Sequence, residues 1–240
     1  MTIGEAIFYF LISILPCIIW LLFYLRQDVH PESNKKIIEI FLFGMMMVLP
    51  ALLLEESFAS FLPEKIQESL LSLAIYYIIG VGLVEEFLKY LVVKLRIIDS
   101  SHFDEPVDIM LYLIIAGLGF ATIENIIVIF NIETIEEAAI VSTVRLLTAI
   151  FIHTLAAAIT GYFWAFSFCF KKGKKRTFLL FLGILLASLL HGFYDISIIK
   201  LEEVQNLFSF LLPTIIIIFT GILVFILFSK VKKLPRSCKI

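Results

Sequence analysis

Seven apolar stretches, each long enough to cross about 30 Å of hydrocarbon, take up most of this 240-residue chain. They run approximately over 6–25, 37–54, 69–93, 107–130, 140–170, 177–199 and 207–229. In lipid the backbone must satisfy its own polar groups, so stretches of this length and composition are helices. The expected fold is an all-α, polytopic transmembrane bundle of about seven spans, forming a single integral membrane domain over 1–240. The fifth stretch is longer than a bilayer needs, so its ends project or it tilts. With 61% apolar and 17% charged residues, the chain departs from soluble proteins in both respects. No polar connection is long enough for a soluble domain, which excludes a nucleotide-binding or nucleic-acid-binding module. Any chemistry belongs to residues inside the bilayer or at its edge.

Charge sets the expected orientation. Connections 26–36, 94–106, 171–176 and 230–240 hold fifteen of the 19 Lys and Arg, including Lys171, Lys172, Lys174, Lys175 and Arg176. Connections 55–68, 131–139 and 200–206, with the N-terminus, hold only Lys65 and Lys200 beside ten acids. By the positive-inside rule this alternation predicts the N-terminus out and the C-terminus in. The first residues lack the basic start of a signal peptide, so 6–25 counts as a span. Cys17, Cys169 and Cys238 are scattered, which implies neither a disulfide nor a cysteine metal site.

An ionisable group in the middle of a bilayer is costly, and each one needs a partner or a task. Spans 1, 2 and 7 have none in their interiors and read as a lipid-facing wall. Spans 3 to 6 carry Glu85, Glu86 and Lys89, then Glu124, then Arg145 and His153, then His191 and Asp195. Small residues cluster on the same four spans, including Gly80, Gly82, Gly117, Gly119, Gly161 and Gly183, so these helices are expected to approach closely. Lys89 lies four after Glu85 and three after Glu86, so it faces either carboxylate on one helix. His191 and Asp195 share a face in the same way, and Asp195 can orient the imidazole. Asn125 sits beside Glu124. Pro106 and Asp108 provide a helix start for span 4.

Helical rise gives a depth. From the basic flanks, Glu124 and His153 lie about 27 Å in, His191 about 22 Å and Asp195 about 28 Å. Glu85 reaches about 20 Å if its helix runs past Lys94 and Arg96 to Ile98 with those cations snorkelling. The polar layer then falls in the extracytoplasmic half.

Each residue has a plainer reading. The Glu–Lys group can be an intrahelical ion pair, a buried His can be a packing residue, and Arg145 can pair with the acidic 131–139 connection. Convergence of three carboxylates, two histidines and an aspartate on neighbouring helices favours a functional centre. No H-E-x-x-H, G-x-S-x-G elbow or phosphate loop is present, and span 7 has no Lys for a Schiff base.

Four linked motifs carry a resemblance. Glu85-Glu86-x-x-Lys89, Gly117-x-Gly119-Phe120-Ala121-x-x-Glu124-Asn125, His153, and His191-Gly192-x-Tyr194-Asp195 resemble the PrsW family of bacterial intramembrane proteases. Asp104-Glu105-Pro106-Val107-Asp108 fits the same pattern, and the match spans a catalytic core of about 75–200. The family is more distantly similar to prenyl-protein endopeptidases and bacteriocin-processing proteins, which carry His where this chain has Glu124. The resemblance implies a bacterial cell membrane and a membrane-anchored protein substrate. It also implies an extracytoplasmic first cut, with anti-sigma factors as the substrate class.

The expected chemistry is glutamate-dependent amide hydrolysis in a wet pocket. Glu85 or Glu86 takes the proton from water, and Glu124 shares that water or protonates the departing amine. His191, held by Asp195, stabilises the oxyanion, while Lys89, His153 and Asn125 support the site. The favoured reading uses no cofactor. Its alternative is Zn2+ on Glu85 or Glu86, Glu124, His153 and His191, and the spacing does not choose between them. A second class of function remains open at this point, a non-enzymatic scaffold or a proton or ion pathway through the same groups.

Overall fold

A computed structural model describes residues 2–27, 30–62, 69–204, 207–235 and 238. Lys65, Arg236 and Lys239, used above as charge markers, lie outside the described residues. Among the described residues, seven helical stretches are long and apolar enough to cross a membrane: Ile3–Leu25, Asn34–Ser60, Leu70–Arg96, Pro106–Phe130, Ile135–Ser167, Lys174–Leu201 and Phe210–Val231. They follow the seven predicted spans in order.

Three of the seven are not continuous α-helices. The second is α2 (Asn34–Met46) and α3 (Val48–Ser60), joined at Met47. The third begins as α4 (Leu70–Ile75), widens into a π-helical segment over Tyr76–Leu83, and continues as α5 (Val84–Arg96). The fifth, whose length suggested projection or tilt, is instead broken at Thr148 (φ −124°, ψ −95°) into α7 (Ile135–Leu147) and α8 (Ala149–Ser167). The rest are α1 (Ile3–Leu25), α6 (Pro106–Phe130), α9 (Lys174–Val204) and α10 (Leu207–Val231). As expected, α5 runs through Arg96 and is capped at Ile97.

The bundle is arranged around α6. Apolar on all sides, it is buried from Pro106 to Thr122, as a central helix must be. Its start is pinned as the sequence suggested, with Pro106 in the first turn. Asp108 Oδ2 accepts the backbone N–H of Glu105 at 2.6 Å and of Asp104 at 3.0 Å. Helices α8, α2 and α1 pack directly on α6, and α9 packs on α8 and on the π-helical segment. Spans 1 and 2 are therefore not merely wall. Gly44 of α2 lies against the carbonyl of Ala116, and Gly119 of α6 against that of Phe41, so a Cβ on either glycine would strike backbone. The small residues of α6 serve this contact as well as the approach to α8.

One cysteine expectation is overturned. Cys169, just past α8, is disulfide-bonded to Cys238, beyond the end of α10. The two are 69 residues apart, and only the packing of α10 beside α8 brings them to one face. Cys17 is free and buried.

Candidate active site

The ionisable residues of the third to sixth spans converge on one cluster. Lys89 is its hub and is wholly buried at 0% exposure. Its ammonium reaches Glu86 Oε1 at 2.7 Å, His153 Nδ1 at 2.9 Å and Glu85 Oε2 at 3.1 Å. An ammonium has three hydrogens and no lone pair, so all three are used and the buried cation is satisfied. Its positive charge also sits 4.7 Å over the ring of Phe120, four residues before Glu124 on α6. Phe120, which the sequence suggests only as packing, thus forms one wall of the cluster.

The histidines complete the arrangement. Their rings meet edge to face with centroids 4.8 Å apart. His191 Nδ1 lies 3.3 Å from Glu86 Oε1 and 3.6 Å from Glu85 Oε2. His153 Nε2 lies 2.7 Å from Glu124 Oε2, on the side of the ring away from Lys89. Asp195 comes within 3.7 Å of His191 Nε2, a charge contact rather than the hydrogen bond expected to hold the ring. The carboxylate pair on the Nδ1 side engages His191 more closely.

These groups border a cavity of about 280 Å³. Glu85, Glu124, His153, His191 and Asp195 line it, whereas Glu86 and Lys89 lie behind the lining. Glu124 and Asp195, with side chains 27% and 23% exposed, are more accessible than Glu85 on the same lining at 4%. Glu86 Oε2 is buried with no hydrogen-bond partner.

Local structure explains how α5 reaches this position. A π-helical turn carries an extra residue, and such turns recur at functional sites. Here it contains Gly80 and Gly82 and packs against α9 at Gly192. A Cβ on Gly192 would stand 2.7 Å from Ile78 Cα and from the Tyr77 carbonyl, and one on Gly82 would stand 2.7 Å from the Ser188 carbonyl. Backbone thus meets backbone immediately beside Glu85, Glu86 and His191.

Three sequence readings change. Asn125 does not enter the cluster. Fully buried, it donates from Nδ2 to the Ser13 carbonyl at 2.6 Å and accepts from Arg145 Nε at 2.7 Å. Arg145 therefore does not serve the acidic 131–139 connection; Asn125 anchors it and it lines the cavity. Glu55 of α3 also lines the cavity, although by sequence it counts as a topological marker. A signal was available, because Val48, Ala51 and Glu55 fall at helical spacing and the first two are buried.

Four donors lie close enough together that they could hold a metal ion. One ligand atom each from Glu85, Glu86, His153 and His191 fall within 4.8 Å of one another. Glu124, included in the sequence-based ligand set, is not in this quartet because it engages the far nitrogen of His153.

A helix bundle able to cross a membrane, with paired glutamates and two histidines beside a cavity of about 280 Å³, has the parts of an intramembrane hydrolase. The family described as PrsW family intramembrane metalloprotease matches residues 32–226. "Protease PrsW" of Geobacillus kaustophilus (strain HTA426) is 32% identical over 182 residues, covering 75% of each chain. The protein of that name from Clostridioides difficile (strain 630) is 32% identical over 188 residues, 78% of this chain and 77% of its own. That from Bacillus subtilis (strain 168) is 29% identical over 191 residues, 80% and 81%. No solved structure matches the chain. The chain belongs to the PrsW family of intramembrane proteases, and is an integral protein of a bacterial membrane that acts on protein substrates.

Proposed function

We propose that this protease hydrolyses a peptide bond in a membrane-anchored protein, using water activated by Glu85. The observation that carries the assignment is the unequal placing of the glutamate pair. Glu85 faces the cavity, while Glu86 is sealed behind it against Lys89 and His191. Glu85 is then the base, and Glu86 fixes the ammonium and the imidazole around it. Glu85 takes a proton from the water, the water oxygen bonds to the carbonyl carbon, and the C–N bond breaks. The departing nitrogen receives the proton that Glu85 took from the water, passed on through Glu124, both carboxyls lying on the cavity wall. His191 donates to the oxyanion, and Arg145 offers further N–H groups on the same wall. His153, Lys89 and Asp195 hold these groups in place.

Glu124 lies six residues before the end of α6, about 9 Å by helical rise. The cavity is thus nearer the ends that carry the acidic connections. With the N-terminus out and the C-terminus in, that end is extracytoplasmic, which supports a first cut there. The substrate class implied by the family resemblance is an anti-sigma factor, and the working unit is a single membrane domain with its core over about 75–200.

A metal-assisted form of the same reaction is favoured by the converging donors and by the family's description as metalloproteases. Two carboxylates and two imidazoles suit zinc, and the unpartnered Glu86 Oε2 offers a spare lone pair. Glu85, Glu86, His153 and His191 would hold the ion, which would polarise the carbonyl and activate water at neutral pH. Lys89 already engages three of these four residues, so binding there requires its ammonium to yield.

The deciding experiment compares membrane proteomes of cells with the chain, without it, and with Glu85→Gln. One membrane protein shortened only by the wild type supports the reading, and continued shortening with Glu85→Gln overturns the role of Glu85.

A further inference from the structure

A second cavity has no part in this chemistry. It is a slot of about 210 Å³ between α1, α8 and α10, on the flank of the bundle. Its walls are aromatic and held in place. Trp20 stacks on Phe151 with centroids 4.3 Å apart and planes 11° apart, and its indole N–H donates to the Leu146 carbonyl at 2.7 Å. Tyr24 stacks on Phe228, and its hydroxyl is fixed by Thr154 Oγ1 at 3.0 Å. The outer rim is Phe23 and Phe225, 49% and 74% exposed on the bundle surface. At Gly221 the missing side chain helps keep the slot open, the nearest atoms being those of Phe151 at 3.6 Å.

The slot does not end blindly. Gln27 and Lys232 line it and also line an adjoining space of about 280 Å³, which His30 and Glu105 border. The acid there lies 3.1 Å from His30 Nδ1. Lys232 is exposed at this mouth, and Arg26, Lys230 and Lys233, its neighbours or Gln27's in sequence, are exposed as well. Among the described residues the Lys232 ammonium engages a ring, that of Phe228 at 5.2 Å, and no carboxylate. An aromatic shaft at membrane depth thus opens into a cationic mouth at its basic end.

We infer that this slot binds an anionic phospholipid, with an acyl chain between Trp20, Phe151 and Phe225 and the phosphate at Lys232 and Gln27. The choice of occupant rests on charge and size. Basic pockets between transmembrane helices on the basic face suit anionic headgroups. A helix about 10–12 Å across does not fit a space of about 210 Å³, whereas a stretch of hydrocarbon chain does. The lipid would tie α10 to α1 on the side of the bundle away from the cavity lined by Glu85.

The test is native mass spectrometry of the detergent-purified full chain, titrated with phosphatidylglycerol or phosphatidylcholine of the same acyl chains. Wild type is expected to retain phosphatidylglycerol about thirtyfold better, the ratio that two basic side chains at about 1 kcal/mol each provide. Lys230→Gln with Lys232→Gln, both exposed, should bring the ratio close to one. Gly221→Trp should lose both lipids, with Gly221→Ala as the folded control. A diazirine at position 225 should label lipid. Equal retention of the two lipids by wild type overturns the proposal, as does unchanged retention in folded Gly221→Trp. Labelling of a protein rather than lipid also overturns it and indicates a helix partner instead. Because the readout is lipid binding, it does not depend on the protease reading.

Discussion

Lys89 Nζ and His153 Nδ1 lie 2.9 Å apart, both groups buried. An ammonium can only donate, so the pair assigns Nδ1 as the acceptor and leaves the proton of a neutral His153 on Nε2. That N–H faces Glu124 Oε2 at 2.7 Å. A lysine on one helix therefore sets the tautomer that aims a histidine at a carboxylate on another. In the ¹⁵N spectrum of His-labelled protein, His153 should appear as the Nε2–H form. Lys89→Met should mix the tautomers, and an unchanged spectrum would remove Lys89 from this role.

The glutamate pair should separate activity from stability. Glu85→Gln is expected to lower cleavage by about 10²–10⁴-fold, the usual contribution of a positioned base, and to lower the unfolding temperature less than Glu86→Gln does, its contact with Lys89 being the longer at 3.1 Å. Glu86→Gln strips the Lys89 ammonium of its nearest carboxylate, at 2.7 Å. Breaking a buried pair costs about 3–5 kcal/mol, so this variant should melt earlier as well as lose activity. Thermal unfolding and cleavage, measured on both variants, check the division.

Asn125 should act through Arg145. Removing its side chain in Asn125→Ala frees the guanidinium from its 2.7 Å anchor and leaves the Ser13 carbonyl without its side-chain donor. A loss of about 1–3 kcal/mol of stability is expected, together with weaker cleavage that Arg145→Gln reproduces. Cleavage equal to wild type in Arg145→Gln would take the guanidinium out of the reaction.

Metal dependence is open to direct measurement. If the four donors hold zinc, the purified protein should carry about one equivalent, and a chelator should abolish activity that added zinc restores. Activity that survives complete removal of metal would leave the glutamate mechanism alone. His191→Ala should lower zinc content in the first case.

The glycines should differ by position, not by type. Gly192→Ala forces a Cβ to within 2.7 Å of Ile78 Cα and should destabilise the bundle by about 1–3 kcal/mol. Gly221→Ala meets nothing closer than 3.6 Å and should be nearly neutral. Equal melting of the two would refute the close approach of α9 to the π-helical segment.

Hydropathy and charge made much of this molecule legible before any coordinate. Seven spans follow from run length, and Glu85, Glu86, Lys89, Glu124, His153 and His191 stand out because ionisable groups are rare in apolar helices. What escaped has common physical causes. Glu55 looks like a topological acid because an acid near the end of an apolar run has the same appearance whether it meets water or a cavity. Asn125 shares a motif with Glu124 but points elsewhere, since neighbours in sequence on a helix face different directions. The break at Thr148 and the Cys169–Cys238 bond depend on contacts between helices, and neither leaves a periodic trace in the chain.

The widened turn over Tyr76–Leu83 also separates two properties that a regular helix binds together. Along an α-helix each residue added or lost swings all later side chains by about 100°. The surplus residue in this segment is already absorbed, so deleting one residue there lets the turn relax to α-helix while Glu85, Glu86 and Lys89 keep their heading. One residue removed between Glu86 and Lys89 has no such reserve and would turn the ammonium away from the carboxylates. Sequence length is thus negotiable on one side of Val84 and fixed on the other.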